Sequence, residues 1–74
     1  MNTDEKLVYM ANQIAQNFVA MRRGDATAAA ANHIARYWDP GMRARIEARV
    51  SAGNSGLEPV AEAAVRSLMG APGA

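Results

Sequence analysis

Seventeen of the 37 apolar residues in this 74-residue chain are alanine. Alanine is the strongest helix former and brings almost no side-chain area to bury. Such a chain folds into helices and draws only a thin core from its 20 larger apolar residues. At this length the apolar area taken out of water barely offsets the entropy of ordering the chain, so small domains add a disulfide, a metal or a partner. There is no cysteine. Disulfides, thiolate zinc sites, cysteine-held iron–sulfur clusters and a cysteine nucleophile are thereby excluded. The stabiliser left is a partner chain.

Charge narrows the kind of partner. The formal net charge is +1, and arginine outnumbers lysine seven to one. Residues 22–50 carry six Arg against Asp25, Asp39 and Glu47. This local excess is too modest to call for nucleic acid. No apolar run approaches the roughly 18 residues of a membrane span. The start Met1-Asn2-Thr3-Asp4-Glu5-Lys6 has neither the basic nor the apolar region of a secretory signal. These features predict a cytoplasmic protein with no nucleic-acid or membrane partner.

Apolar spacing predicts an all-α fold, a single domain over residues 1–74 made of about four short helices and completed against a partner. The first helix begins near Thr3 or Asp4, with Asp4 and Glu5 at the positive end of its dipole. Leu7, Met10, Ala11, Ile14, Phe18 and Met21 fall on one stripe, which Val8, Ala15 and Val19 widen to about half the circumference. Asn12, Gln13, Gln16 and Asn17 fill the rest, a neutral amide face that suits either an interface or an uncharged surface. Arg22-Arg23-Gly24 closes this helix. Asp25 caps a second, which runs to about Trp38. Its start, Ala26-Thr27-Ala28-Ala29-Ala30-Ala31, lets another backbone approach closely. Ala26, Ala30, His33 and Tyr37 share a face, with Ile34 and Trp38 on its shoulder. Asp39 and Pro40 end that helix and serve as N-cap and N1 of a third, which runs to about Ala52. Met42, Ile46 and Val50 form its stripe, bordered by Arg43 on one side and by Arg45 and Arg49 on the other. Residues 51–56 read as a flexible linker. Pro59 opens a fourth helix with Val60, Ala61, Ala64, Val65 and Leu68 on one face and an outward Glu62–Arg66 pair. Gly70 to Ala74 are expected to fray.

Little in this chain could carry chemistry. One histidine cannot form a His–His metal pair, and the seven carboxylates are not spaced to face one another as an acid/base pair. Gly53-Asn54-Ser55-Gly56 lacks the Lys-Ser/Thr that completes a phosphate-cradling loop, and Ser51, Ser55 and Ser67 have no nucleophile-elbow context. His33 is either a neutral histidine hydrogen-bonded to a carbonyl or carboxylate, or a contact to a cofactor or partner group. Trp38 is a core plug or, with Tyr37, an interface anchor. Arg43, Arg45 and Arg49 are a solvated face or an ion-pairing rim around a docking surface. The chain is not expected to be an enzyme alone.

Asn12-Gln13-Ile14-Ala15 followed by Phe18, then His33-Ile34, then Tyr37-Trp38-Asp39-Pro40 and Met42-Arg43, resembles the delta subunit of NAD-dependent formate dehydrogenases. The similarity covers roughly Val8 to Leu68, and its most specific block runs from His33 to Arg43. The resemblance implies a non-catalytic small subunit of a soluble complex that oxidises formate to CO2 with NAD⁺. Its large subunit would carry a bis-molybdopterin guanine dinucleotide cofactor with molybdenum or tungsten, and other subunits iron–sulfur clusters, FMN and NAD. No cofactor, metal or catalytic residue is expected in this chain itself. Docking on the large subunit is expected to involve Ile14, Phe18, His33, Ile34, Tyr37, Trp38, Asp39, Pro40, Met42, Arg43, Arg45 and Arg49. The other classes open to such a chain are a small nucleic-acid-binding regulator, through Arg43, Arg45 and Arg49, and a self-associating helical protein.

Overall fold

The computed structural model describes residues 2–22 and 24–70, which form four helices and, among the described residues, no strand. They are α1 (Thr3–Met21), α2 (Ala26–Tyr37), α3 (Pro40–Ala52) and α4 (Pro59–Leu68). The all-α expectation holds. Arg23, expected at the close of the first helix, and Ala71 to Ala74, expected to fray, lie outside the described residues.

Each helix starts where the sequence offers a cap. Asn2 caps α1 by accepting from the Glu5 N–H at 2.8 Å, while the Glu5 carboxylate accepts from the Asn2 N–H. This reciprocal box satisfies two amides that would otherwise be orphaned. Asp25 accepts from the Thr27 and Ala28 N–H groups to start α2. Asp39 accepts from Met42 N–H at 2.8 Å, with Pro40 at the first position of α3. Pro59 takes the same place in α4, whose N-cap, Glu58, makes no capping bond. The end of α1 departs from expectation. It closes on Arg22, a non-glycine residue in the left-handed region (φ 53°), ahead of Gly24.

The core is as thin as the alanine content implies. Its largest fully buried side chains are Ile34, Ile46, Val50 and Val65. Leu7, Ala11, Ala15, Trp38 and Ala61 complete this cluster, with one contribution or more from every helix. A second cluster is almost pure alanine: Ala30 and Ala31 of α2 meet Ala64 of α4, with Ile14, Phe18 and Leu68 around them. The small start of α2 therefore does admit a close neighbour, and that neighbour is α4. On α1 the buried line is Leu7, Ala11 and Ala15. Ile14 and Phe18 are half-buried, and Val19 and Met21 are exposed. The wide apolar face is thus covered along its first half, where Val8 and Met10 also pack on the core, and is left open toward its C-terminal end at Val19 and Met21.

Residues 51–56 are ordered by specific bonds. Ser51 and Ala52 belong to α3. Ser55 is buried, its carbonyl accepts from Arg49 Nε, and its hydroxyl accepts from the Leu57 N–H and donates to Glu62. Gly56 (φ +86°) passes close to Val8 on α1, a conformation and an approach that suit glycine.

Candidate functional site

All seven side-chain carboxylates are engaged by the chain itself. Glu5, Asp25 and Asp39 accept from backbone N–H groups at helix starts. Asp4 pairs with Arg45 at 2.8 Å, Glu47 with Arg43 at 3.7 Å and Glu62 with Arg66 at 3.1 Å. Glu58 accepts from Gln16 Nε2. Among the described residues no group of three or more His, Cys, Asp or Glu is placed to hold a metal. The arginines of α3 also face their own chain, since Arg49 bonds the Ser55 carbonyl while Arg43 and Arg45 pair with carboxylates, the buried Nε of Arg43 being left without a hydrogen-bond partner.

The amide face of α1 is divided. Asn12 and Gln16 are turned onto the α3–α4 loop, where they bond Gly56, Glu58 and the Glu58 carboxylate. Gln13 and Asn17 are exposed. Half of that neutral stripe thus belongs to the fold, a role that its composition alone did not reveal.

The residues expected at a docking surface separate into three places. Ile34 (0% exposed) is enclosed in the core, and Trp38 (7%) is a core residue whose edge lines an open cleft with Pro40 and Arg43. Asp39 and Pro40 shape the turn into α3, Met42 packs against the core, and Arg43, Arg45 and Arg49 are bound to Glu47, Asp4 and Ser55. Ile14, Phe18 and His33 do come together, in an open groove between α1 and α2, and Tyr37 lies outside its lining, against His33. Ile14, Asn17, Phe18, Ala20 and Met21 line it from α1 and His33 from α2, around a volume of about 530 Å³. Phe18 and His33 meet edge to face at 6.1 Å, and His33 stacks at a tilt on Tyr37 at 4.8 Å. The Arg36 guanidinium sits 5.9 Å over the Tyr37 ring. The contacts of His33 among the described residues are aromatic, in place of the carbonyl or carboxylate bond expected of a core histidine. Such an amphipathic aromatic row is a common composition for a protein interface.

Met21, Arg22 and Arg36 were missed as surface candidates. Met21 was legible only as one more residue of the apolar stripe.

No curated protein and no solved structure matches the chain. A family model does, over residues 6–65, and its description is NADH-dependant formate dehydrogenase delta subunit FdsD. The match runs from the first turns of α1 to Val65 in α4 and takes in both blocks of the resemblance, so it spans most of the 74 residues. The chain belongs to the FdsD family, the delta subunits of NADH-dependent formate dehydrogenases.

Proposed function

We propose that this chain is a non-catalytic accessory subunit that docks on the large, molybdopterin-binding subunit of a cytoplasmic formate dehydrogenase and supports assembly or cofactor retention. The observation that carries this reading is the engagement of every side-chain carboxylate in the chain's own caps, ion pairs and loop contacts. A group held this way is not poised to move a proton or bind an ion. With no cysteine the chain has no thiolate for an iron–sulfur cluster or for the metal of the molybdenum or tungsten cofactor, and it has no phosphate-cradling glycine loop of the kind that holds FMN or NAD. Those groups are assigned to the other subunits. The half-covered apolar face of α1 supports docking, because a small helical chain gains stability by covering such a face with a partner. A nucleic-acid role is disfavoured by the α3 arginines, which face carboxylates and a carbonyl of their own chain.

A subunit of this kind acts by stabilising the competent state of its partner and leaves the chemistry to groups elsewhere. The test is to purify the complex with the chain present and with it deleted, then normalise turnover to metal and pterin content. Deletion is expected to lower cofactor loading while turnover per metal and the formate KM stay near normal. Full loading with turnover per metal reduced 10²-fold or more, reproduced by His33→Ala, would mean that His33 takes part as an acid or base, and the accessory reading would fall.

A further inference from the structure

We propose that the cleft between the end of α2 and the start of α3 receives an Asn or Gln side chain of a neighbouring subunit, whose carboxamide completes the hydrogen bonding that Arg43 and Glu47 leave open. This inference rests on the accessory-subunit reading and deepens it by naming a contact point and the chemistry of its occupant. The cleft, of about 360 Å³, is lined by Ala35 and Trp38 at the end of α2 and by Pro40, Arg43, Ala44 and Glu47 of α3. Its ion pair is the most loosely made of the three among the described residues. Arg45–Asp4 and Arg66–Glu62 are hydrogen-bonded, at 2.8 and 3.1 Å, with arginine side chains 58% and 59% exposed. Arg43 and Glu47 are the least exposed, at 33% and 28%, yet Nη2 and Oε2 stand 3.7 Å apart, beyond hydrogen-bond reach. The Nε of Arg43 is buried and has no hydrogen-bond partner among the described residues. Burial takes water from charged groups, so a half-buried pair needs closer hydrogen bonding than an exposed one to offset the loss. Here the order is reversed. The pair is balanced in charge and incomplete in hydrogen bonds, and a group from outside the chain can supply what is missing.

What the pair tolerates fixes the chemistry of the occupant. An incoming carboxylate is repelled by Glu47, and an incoming cation by Arg43. An apolar side chain strips the remaining water from both charges and returns no hydrogen bond. A carboxamide is neutral and carries an acceptor oxygen beside an NH2 donor. With the Arg43 guanidinium turned toward the cleft, the oxygen accepts from it while the NH2 donates to the Glu47 carboxylate. Both bonds are charge-assisted and so stronger than bonds between neutral groups. Ala35, Pro40, Ala44 and the Trp38 edge give the methylenes of the same side chain an apolar wall.

The experiment uses the chain co-expressed with the remaining subunits of its formate dehydrogenase. A photoreactive diazirine amino acid at Ala44, an exposed residue of the cleft, identifies what enters it, with Gln13, exposed on α1, as the control position. The expected product joins position 44 to a segment of another subunit that contains Asn or Gln. Arg43→Lys keeps the charge opposite Glu47 and removes both the Nε donor and the planar fork. It is expected to reduce retention in the complex at least tenfold while the isolated chain melts as the parent does. Replacing the crosslinked Asn or Gln by Ala should cause the same loss without touching this chain's fold, and combining the two variants should add little to either. Crosslinks from position 44 to a second copy of this chain, or to a segment without Asn or Gln, overturn the proposal. So does an Ala44 probe that finds only solvent, a partner variant retained as well as its parent, or losses that add. In each of those cases the accessory reading survives if the chain still co-purifies. A parent chain that fails to co-purify with the other subunits removes both.

Discussion

The Asn12 side chain bridges α1 to the entry of α4. Its Oδ1 accepts from the Glu58 N–H at 2.8 Å across 46 residues, while its Nδ2 donates to the Gly56 carbonyl at 3.2 Å. One amide thus satisfies a donor and an acceptor of a loop that has no secondary structure of its own. Asn12→Ala leaves both backbone groups to solvent and frees the loop from α1. The expected loss is about 1–2 kcal/mol for two such bonds. In a chain of this size that lowers Tm by roughly 4–16 °C. Gln13→Ala, one residue along on an exposed position, should stay within about 0.5 kcal/mol of the parent. Equal melts for the two variants would show that the bridge contributes nothing.

Ala64 is fully buried against Ala30 and Ala31, so the approach of α4 to α2 depends on the absence of side-chain bulk. Ala64→Leu inserts three carbons where no space exists and should cost about 2–3 kcal/mol through displaced helices. Ala63→Leu, exposed on the same helix, should be near neutral. Chemical denaturation of both variants checks this. A stable A64L chain would mean that the α2–α4 gap can open without penalty.

These two sites mark what sequence could and could not reveal. The helix ends were legible because their signals are local: Asp25, Asp39, Pro40 and Pro59 act within their own turn. The close α2–α4 contact was legible in kind, since an alanine run permits one partner backbone or another, but the identity of that neighbour is a tertiary fact. From the sequence Asn12 is one of four amides on a face that suits either an interface or an uncharged surface, because its bonds reach residues 44 and 46 positions away and no local pattern encodes them. The expected docking set was mixed for a related reason. Periodicity groups His33 with Ile34 and Tyr37 with Trp38, yet a turn of 100° per residue places Ile34 in the core and leaves Tyr37 in solvent.

Trp38 illustrates how that distinction is tested. At 7% exposure it sits at the α2 C-cap within the main core. Trp38→Ala should cost about 3–5 kcal/mol, comparable to the whole stability of a chain this small. The complex yield should fall because the free chain unfolds, and an osmolyte that favours burial should restore it. A variant that remains folded alone but does not assemble would reassign Trp38 to the interface.

The free chain should be marginally stable for the same reasons that point to a partner. Among the described residues only Ile34, Ile46, Val50 and Val65 of the larger side chains are fully buried, while Val19, Met21 and Tyr37 are each half or more exposed. Beyond the α1/α2 groove, a second apolar cleft on the other side of α1 is lined by Ala15, Val19, Ala20, Pro59 and Val60, with Gln16 and Glu58 at its polar edge. The C-terminal half of α1 is thus flanked on both sides by apolar surface that no described helix covers. Hydrophobic burial by Leu7, Trp38, these four medium-sized side chains and a set of alanines leaves a small margin over chain entropy. Calorimetry of the isolated protein should give a broad transition near room temperature, or sedimentation should detect self-association through these clefts. Assembly with the partner should sharpen the transition and raise it, because binding the folded state alone stabilises by mass action. A sharp, cooperative transition above about 60 °C in a chain shown to be monomeric would mean that the thin core suffices alone, and dependence on a partner would then have to rest on function.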